Sequence, residues 1–155
     1  MNNKLIKLLT LFLFSCFLTN AQDSDKKDYP LKADVATIDG IIKAYYEIIS
    51  GPAGEPINFQ RDKSLHYENA LILFSGSHKN KIYNDIKNVF DFHKNSAKTK
   101  PGIWEYEIER DTHQYGNIVN VWSTFGIREK VGGGFKEKVI SSVQLYHETQ
   151  TIIEF

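Results

Sequence analysis

A chain of 155 residues with 19 basic and 19 acidic side chains is long enough for one sizeable core and carries no net charge. That balance excludes electrostatic attraction to nucleic acid or to an anionic membrane surface as an organising function. A single cysteine excludes both a disulfide framework within the chain and a thiolate metal site.

Lys4 and Lys7 precede an apolar run from Leu8 to Leu18, and Thr19-Asn20-Ala21 follows with a small residue before Gln22. This is the three-part layout of a secretory signal, and the run is shorter than the ~20 apolar residues that span a bilayer. Residues 1–21 are read as a signal peptide cut after Ala21, and the protein as exported, either periplasmic or secreted. A buried N-terminal helix would need an amphipathic stripe, which the run lacks. Leu13-Phe14-Ser15-Cys16 has the outline of a lipobox. Phe14 is bulky where small residues are preferred, and Phe17-Leu18 prolong the apolar core, so no lipid anchor at Cys16 is expected. No later stretch has the length or apolarity of a membrane span.

Residues 22–33 are polar and charged and read as a flexible lead-in, leaving 34–155 as one domain. Ile38, Ile41, Ile42, Tyr45, Ile48 and Ile49 recur at three- and four-residue steps, which predicts an amphipathic helix capped by Asp34 or Thr37 and stopped at Gly51-Pro52. A short helix from Asn58 to about His66 follows, with Asn58 as cap. Ala70 to Phe74 reads as a short buried strand, Gly76 to Lys81 as a polar loop, and Ile82, Ile86, Val89, Phe90 and His93 as the stripe of a third helix.

After Gly102 the period changes to two. Trp104, Tyr106 and Ile108 alternate with Glu105, Glu107 and Glu109, as in a half-buried antiparallel strand. Gly116-Asn117 suits a type II′ hairpin turn into a strand from Ile118 to Ile127. Gly132-Gly133-Gly134 leads to another strand, about Lys138 to Tyr146, and Thr151 to Phe155 forms a last short one. Helices followed by an antiparallel meander give an α+β fold, with the helices laid on one face of a curved sheet.

This order resembles the NTF2-like superfamily, with its SnoaL-like and ketosteroid-isomerase-like branches. So do the phrases Ile38 to Tyr46, Ser50 to Gly54, Tyr115 to Ile118 and Ser142 to Tyr146, which look like those of exported bacterial members. The resemblance implies a cone with a pocket between helices and sheet, often in a homodimer, and a role as isomerase, cyclase, dehydratase or pure binding domain. The chain ends early against that pattern, which implies a cone open or shortened at that edge.

Counting outward one for one from Tyr115 opposite Ile118 places Trp104, Tyr106, Ile108, Val119, Val121, Phe125 and Ile127 on the core face. Arg110 and Ser123 oppose each other on that face. A buried guanidinium is costly unless paired, so Arg110 there meets an anionic or carbonyl-bearing ligand, pairs with a helix carboxylate, or is turned outward by a bulge. Tyr46, Trp104, Tyr106, Arg110 and Ser123 are the candidate ligand-binding residues.

The opposite face is expected to carry Glu105, Glu107, Glu109, Asp111 and His113 with Trp122. Alternating polar residues of this kind describe a solvated face, and no metal site or other cofactor is expected. Isomerase chemistry would need a pocket carboxylate and a tyrosine donor. Tyr45, Tyr46 and Tyr106 are available as donors, but no motif singles out Asp62 or Glu68 as the base, and no catalytic residue is assigned. The functional expectation is a small, partly apolar ligand bound between helices and sheet. The alternatives are an isomerase or lyase, or an interaction domain that dimerises through the outer sheet face. N-terminal sequencing of the exported protein should begin at Gln22; an intact Met1, or a lipid-modified Cys16, would refute the signal reading.

Overall fold

The computed structural model describes residues 27–94, 96, 98, 102–148 and 151–154, so the expected signal peptide lies outside the described residues. The chain opens with a short helix α1 (Lys32–Val35), which buries Asp34 and Val35 just where the lead-in was expected to end. Helix α2 (Ile38–Ile49) begins where Thr37 accepts a hydrogen bond from the Gly40 backbone N–H at 3.0 Å, the service that an N-cap hydroxyl supplies to a helix end. Its buried side is Ile41, Ile42, Ala44, Tyr46 and Ile48. Tyr46 therefore takes the inward place expected of Tyr45, which is only half-buried.

Ser50 ends α2 in extended backbone, and Gly51–Pro52 forms a two-residue strand β1 beside β4. Helix α3 (Phe59–Leu65) starts at Asn58, whose Oδ1 accepts from the Arg61 N–H at 3.1 Å. Strands β2 (Leu71–His78) and β3 (Lys81–Asn88) then form a separate hairpin, and α4 (Val89–His93) follows.

Three expectations are corrected in this segment. Ile82 and Ile86 belong to a strand, not to a third helix, β2 is largely exposed rather than buried, and the loop expected from Gly76 to Lys81 shrinks to the Lys79-Asn80 turn. A spacing of four is shared by one helical turn and two strand repeats, so Ile82 and Ile86 fit either period. The turn decides: Lys79 (φ 49°) and Asn80 (φ 62°) both adopt left-handed backbone, the pattern of a type I′ hairpin. On the hairpin, Phe74 packs on Phe92 of α4 at 5.1 Å, which joins it to the body.

Strands β4 (Gly102–Tyr115), β5 (Ile118–Arg128), β6 (Glu137–Glu148) and β7 (Thr151–Glu154) form the expected antiparallel meander. With β1 they give the order β1-β4-β5-β6-β7. The sheet curls into a half-barrel, and the fold is α+β. Tyr115 pairs with Ile118, and Gly116 alone of the two turn residues has positive φ (59°), as type II′ requires. The concave face supplies Val119, Val121, Phe125, Val143 and Leu145 to the core, against Ile41, Ile42, Ala44, Tyr46 and Ile48 of α2.

Register is where the expectation fails. A β-bulge between Glu107 and Glu109 makes Ile108 an extra residue, 43% exposed. Beyond it Arg110 lies opposite Ser123 as counted, but before it Glu107 faces Phe125 and Glu105 faces Ile127. One extra residue exchanges the two faces of a strand. Trp104 and Tyr106 therefore lie on the convex pleat, opposite Arg128 and Gly126, while Glu105 and Glu107 turn to the concave side.

Between the helices lies a buried polar cluster. Asp62, with no exposed surface, accepts from His93 Nδ1 at 2.8 Å, and His66 Nδ1 donates to the Asp62 carbonyl oxygen at 2.8 Å. Asp62 thereby ties α3 to α4. Removing one partner of a buried pair strands the other. Asp62→Ala should cost about 2–4 kcal/mol in a urea unfolding series. A loss below about 0.5 kcal/mol, within the range of ordinary surface substitutions, would mean that the cluster does not hold the two helices together.

Candidate functional site

A cavity of about 370 Å³ opens between α2 and the first half of β4. It is lined by Lys43, Tyr46, Glu47 and Ser50 from the helix side and Trp104, Glu105, Tyr106 and Glu107 from the strand. Its size falls within the roughly 300–1,000 Å³ of small-molecule sites. Local sequence builds both walls. The α2 repeat brings Lys43, Tyr46, Glu47 and Ser50 to one side at three- and four-residue steps. The bulge at Ile108 brings the glutamates to the other. Trp104 stays at the strand start because its ring lies over Gly102, where a Cβ would come within 2.8 Å of it.

Behind the cavity runs a chain of hydrogen bonds. The Tyr46 hydroxyl lies 2.9 Å from Ser123 Oγ, and Ser123 Oγ donates to Glu107 Oε1 at 2.6 Å. Arg110 grips the same carboxylate with two nitrogens, Nε at 2.8 Å from Oε1 and Nη2 at 2.5 Å from Oε2. It also reaches Asp39 Oδ1 with Nη1 at 2.7 Å. Burial works to raise the Glu107 pKa, but the Arg110 and Ser123 hydrogen bonds and the arginine charge outweigh it and hold the group below the usual carboxylate range. The hydrogen bonds from Arg110 to Glu107 raise the arginine pKa in turn, against the effect of burial.

At the cavity entrance Ser50 Oγ donates to the Tyr46 carbonyl at 2.7 Å and accepts the Glu105 backbone N–H at 2.9 Å, fastening α2 to β4. Glu47 is held by Arg61 Nη2 at 2.9 Å and faces Lys43 Nζ at 3.6 Å. Arg61 is also forked onto Asp34 at 2.8 Å. Glu105 differs from its neighbours. Burial alone pushes its carboxyl up to about 7, with no cation set against it.

The structure thus separates the candidate residues. Tyr46 lines the cavity from α2, whereas Trp104 and Tyr106 border it along β4 with side chains on the convex pleat, where Arg128 stacks on the Tyr106 ring at 4.7 Å. Ser123 is fully buried one hydrogen bond behind Tyr46. Arg110 faces the concave side, pairs with Glu107 and Asp39, and is not among the residues that line the cavity. The groups that sequence reasoning missed are Glu105 and Glu107, which it placed on the solvated face. A signal was present: an arginine three residues after a glutamate in a strand can meet it on one face only if a bulge lies between them.

Of the remaining polar groups, Asp62 is enclosed in the histidine cluster and Glu68 is exposed. Asp111 and His113 form an exposed pair at 3.2 Å on the convex face. Among the described residues no group of three or more His, Cys, Asp or Glu side chains is arranged to hold a metal ion.

Glu105 makes stability depend on pH. Its folded pKa of about 7 lies above the ordinary 4.5, so its contribution is fully present below about 4.5 and is lost as pH rises through about 7. Glu105→Gln should therefore stabilise the protein by on the order of 1–3 kcal/mol at pH 8 and leave it unchanged near pH 4. Denaturant midpoints of both proteins across that range would show it, and an equal gain at both pH values would refute the assignment. Comparison with known proteins finds no match to this chain among family models, curated proteins or solved structures.

Proposed function

We propose that this protein is an exported NTF2-like α+β cone that binds a small, partly apolar ligand in the cavity between α2 and β4. The observation that carries the reading is the cavity itself, about 370 Å³, with Tyr46 on the helix side and one uncompensated carboxyl, Glu105, on the strand side. A few polar groups in a largely apolar wall are what orient a bound molecule. The family part is supported by element order, with the helices coming first and a curled antiparallel meander packing against α2. Arg110 now serves as support, because its ion pair fixes Glu107, and through Ser123 the position of Tyr46.

A specific observation favours one second reading, a domain that dimerises through the convex sheet face. Trp122 and Ile118 are each 50% exposed there, with Ile140 at 63% beside them. Glu105 and Trp122 separate the readings, because Glu105 lines the cavity and Trp122 lies on the convex face. Cyclohexylmethanol titrated into the full-length protein should shift the Glu105 backbone amide resonance saturably and leave the Trp122 indole N–H in place, with a Trp122→Phe variant assigning the indole signal. A shift of Trp122 alone, or of neither, would remove the cavity from consideration.

A further inference from the structure

We propose that the ligand of this cavity carries a hydrogen-bond-donating cationic group, a small organic ammonium, which the Glu105 carboxylate receives. The inference rests on the cavity reading above and names the chemistry that the cavity accepts.

It follows from where each proton goes. Ser123 has one hydroxyl proton and spends it on Glu107, which can only accept while ionised. The 2.9 Å contact between Tyr46 and Ser123 must then be donated by Tyr46, whose only hydroxyl proton is committed inward. Ser50 spends its proton on the Tyr46 carbonyl, and the Glu105 backbone N–H is spent on Ser50. Glu105, Glu107 and Glu47 are carboxyl groups that accept when ionised. Among the lining residues Trp104 and Tyr106 carry the other donors, but their side chains lie on the convex pleat, so Lys43 is the donor left, at the exposed rim and already facing Glu47 at 3.6 Å. A carbonyl or carboxylate ligand would find no committed donor inside, and a polar group buried without a partner is penalised. A ligand that brings donors finds acceptors.

Charge agrees. Around the cavity Lys43, Arg61 and Arg110 face Asp34, Asp39, Glu47, Glu105 and Glu107, so carboxylates outnumber cations. Glu47 and Glu107 are each gripped by an arginine, and Glu105 is the carboxyl left for a ligand. An ammonium with an apolar body would place its charge on Glu105 and its body against Tyr46. The same proton count removes Tyr46 as the enolate donor of an isomerase.

The test uses three compounds of one shape and different polarity: cyclohexylmethylamine, cyclohexyl methyl ketone and cyclohexanecarboxylate. Each is titrated into the full-length protein at pH 8.5, with the backbone amide resonance of residue 105 as reporter. The amine should bind about tenfold or more tightly than the other two. Glu105→Gln should reduce that preference to about threefold or less, whereas Glu109→Gln, on the convex face, should leave it intact. If the ketone or the carboxylate binds in the cavity as well as the amine does, the ammonium inference falls and the cavity reading stands. If the preference survives in Glu105→Gln, Glu105 is not the acceptor and the inference falls. If none of the three moves the amide of residue 105, the cavity reading fails and this inference fails with it.

Discussion

An aspartate or glutamate and an arginine three residues apart in a regular strand point to opposite faces of the sheet, and most of what is distinctive here follows from overcoming that. The extra residue at Ile108 puts Glu107 and Arg110 on the same concave side, where the guanidinium takes both carboxylate oxygens. A two-nitrogen fork of this kind is geometrically demanding and, when partly buried, costly to break. The exposed isoleucine and the inversion of the first half of β4 are consequences of the pair. So is the arrival of Glu105 beside α2, since it shares a pleat with Glu107.

From that pair a line of polar contacts leads to the cavity. The Arg110 charge keeps Glu107 ionised, Glu107 takes the Ser123 proton, and Ser123 takes the proton of Tyr46. Each step fixes the next because a hydroxyl has one proton to give. The concave face is otherwise aliphatic, with Val119, Val121 and Leu145 around Ser123. A buried network of this kind is tolerable because its members satisfy each other, and the same low-dielectric surroundings leave Glu105, with no cation opposite, reluctant to ionise. A paired and an unpaired carboxyl thus sit two residues apart in one strand, distinguished by whether an arginine reaches them.

Elsewhere the molecule divides its polar burden by layer. The Asp62–His93 contact ties α3 to α4, away from the cavity, and Arg61 links α1, α3 and α2 through Asp34 and Glu47. Because Arg61 also neutralises Glu47, the contact that joins the helices sets the charge of one cavity wall. The β2–β3 hairpin keeps its lysines on the pleat with Phe74, which packs on Phe92, while Leu71, Leu73, Ile82 and Ile86 lie exposed on the other.

The amino-acid sequence by itself determined the elements whose signals are local. The stripe and cap of α2, the Asn58 cap of α3, the Gly116-Asn117 turn with Tyr115 opposite Ile118, and the α+β order all follow from neighbours a few residues apart. It left Ile82 and Ile86 undecided, since a four-residue spacing serves both periods and only the left-handed turn at Lys79-Asn80 chooses between them. Arg110 and Ser123 were legible as partners in register, and Tyr46 as a residue of the helix facing the sheet. Tertiary structure alone decided which glutamates face inward, because a bulge is set by an ion pair closing across the strand and not by propensity. It also decided that Arg110 is a support and Glu105 the free carboxyl, since that depends on which charges the folded chain brings within reach.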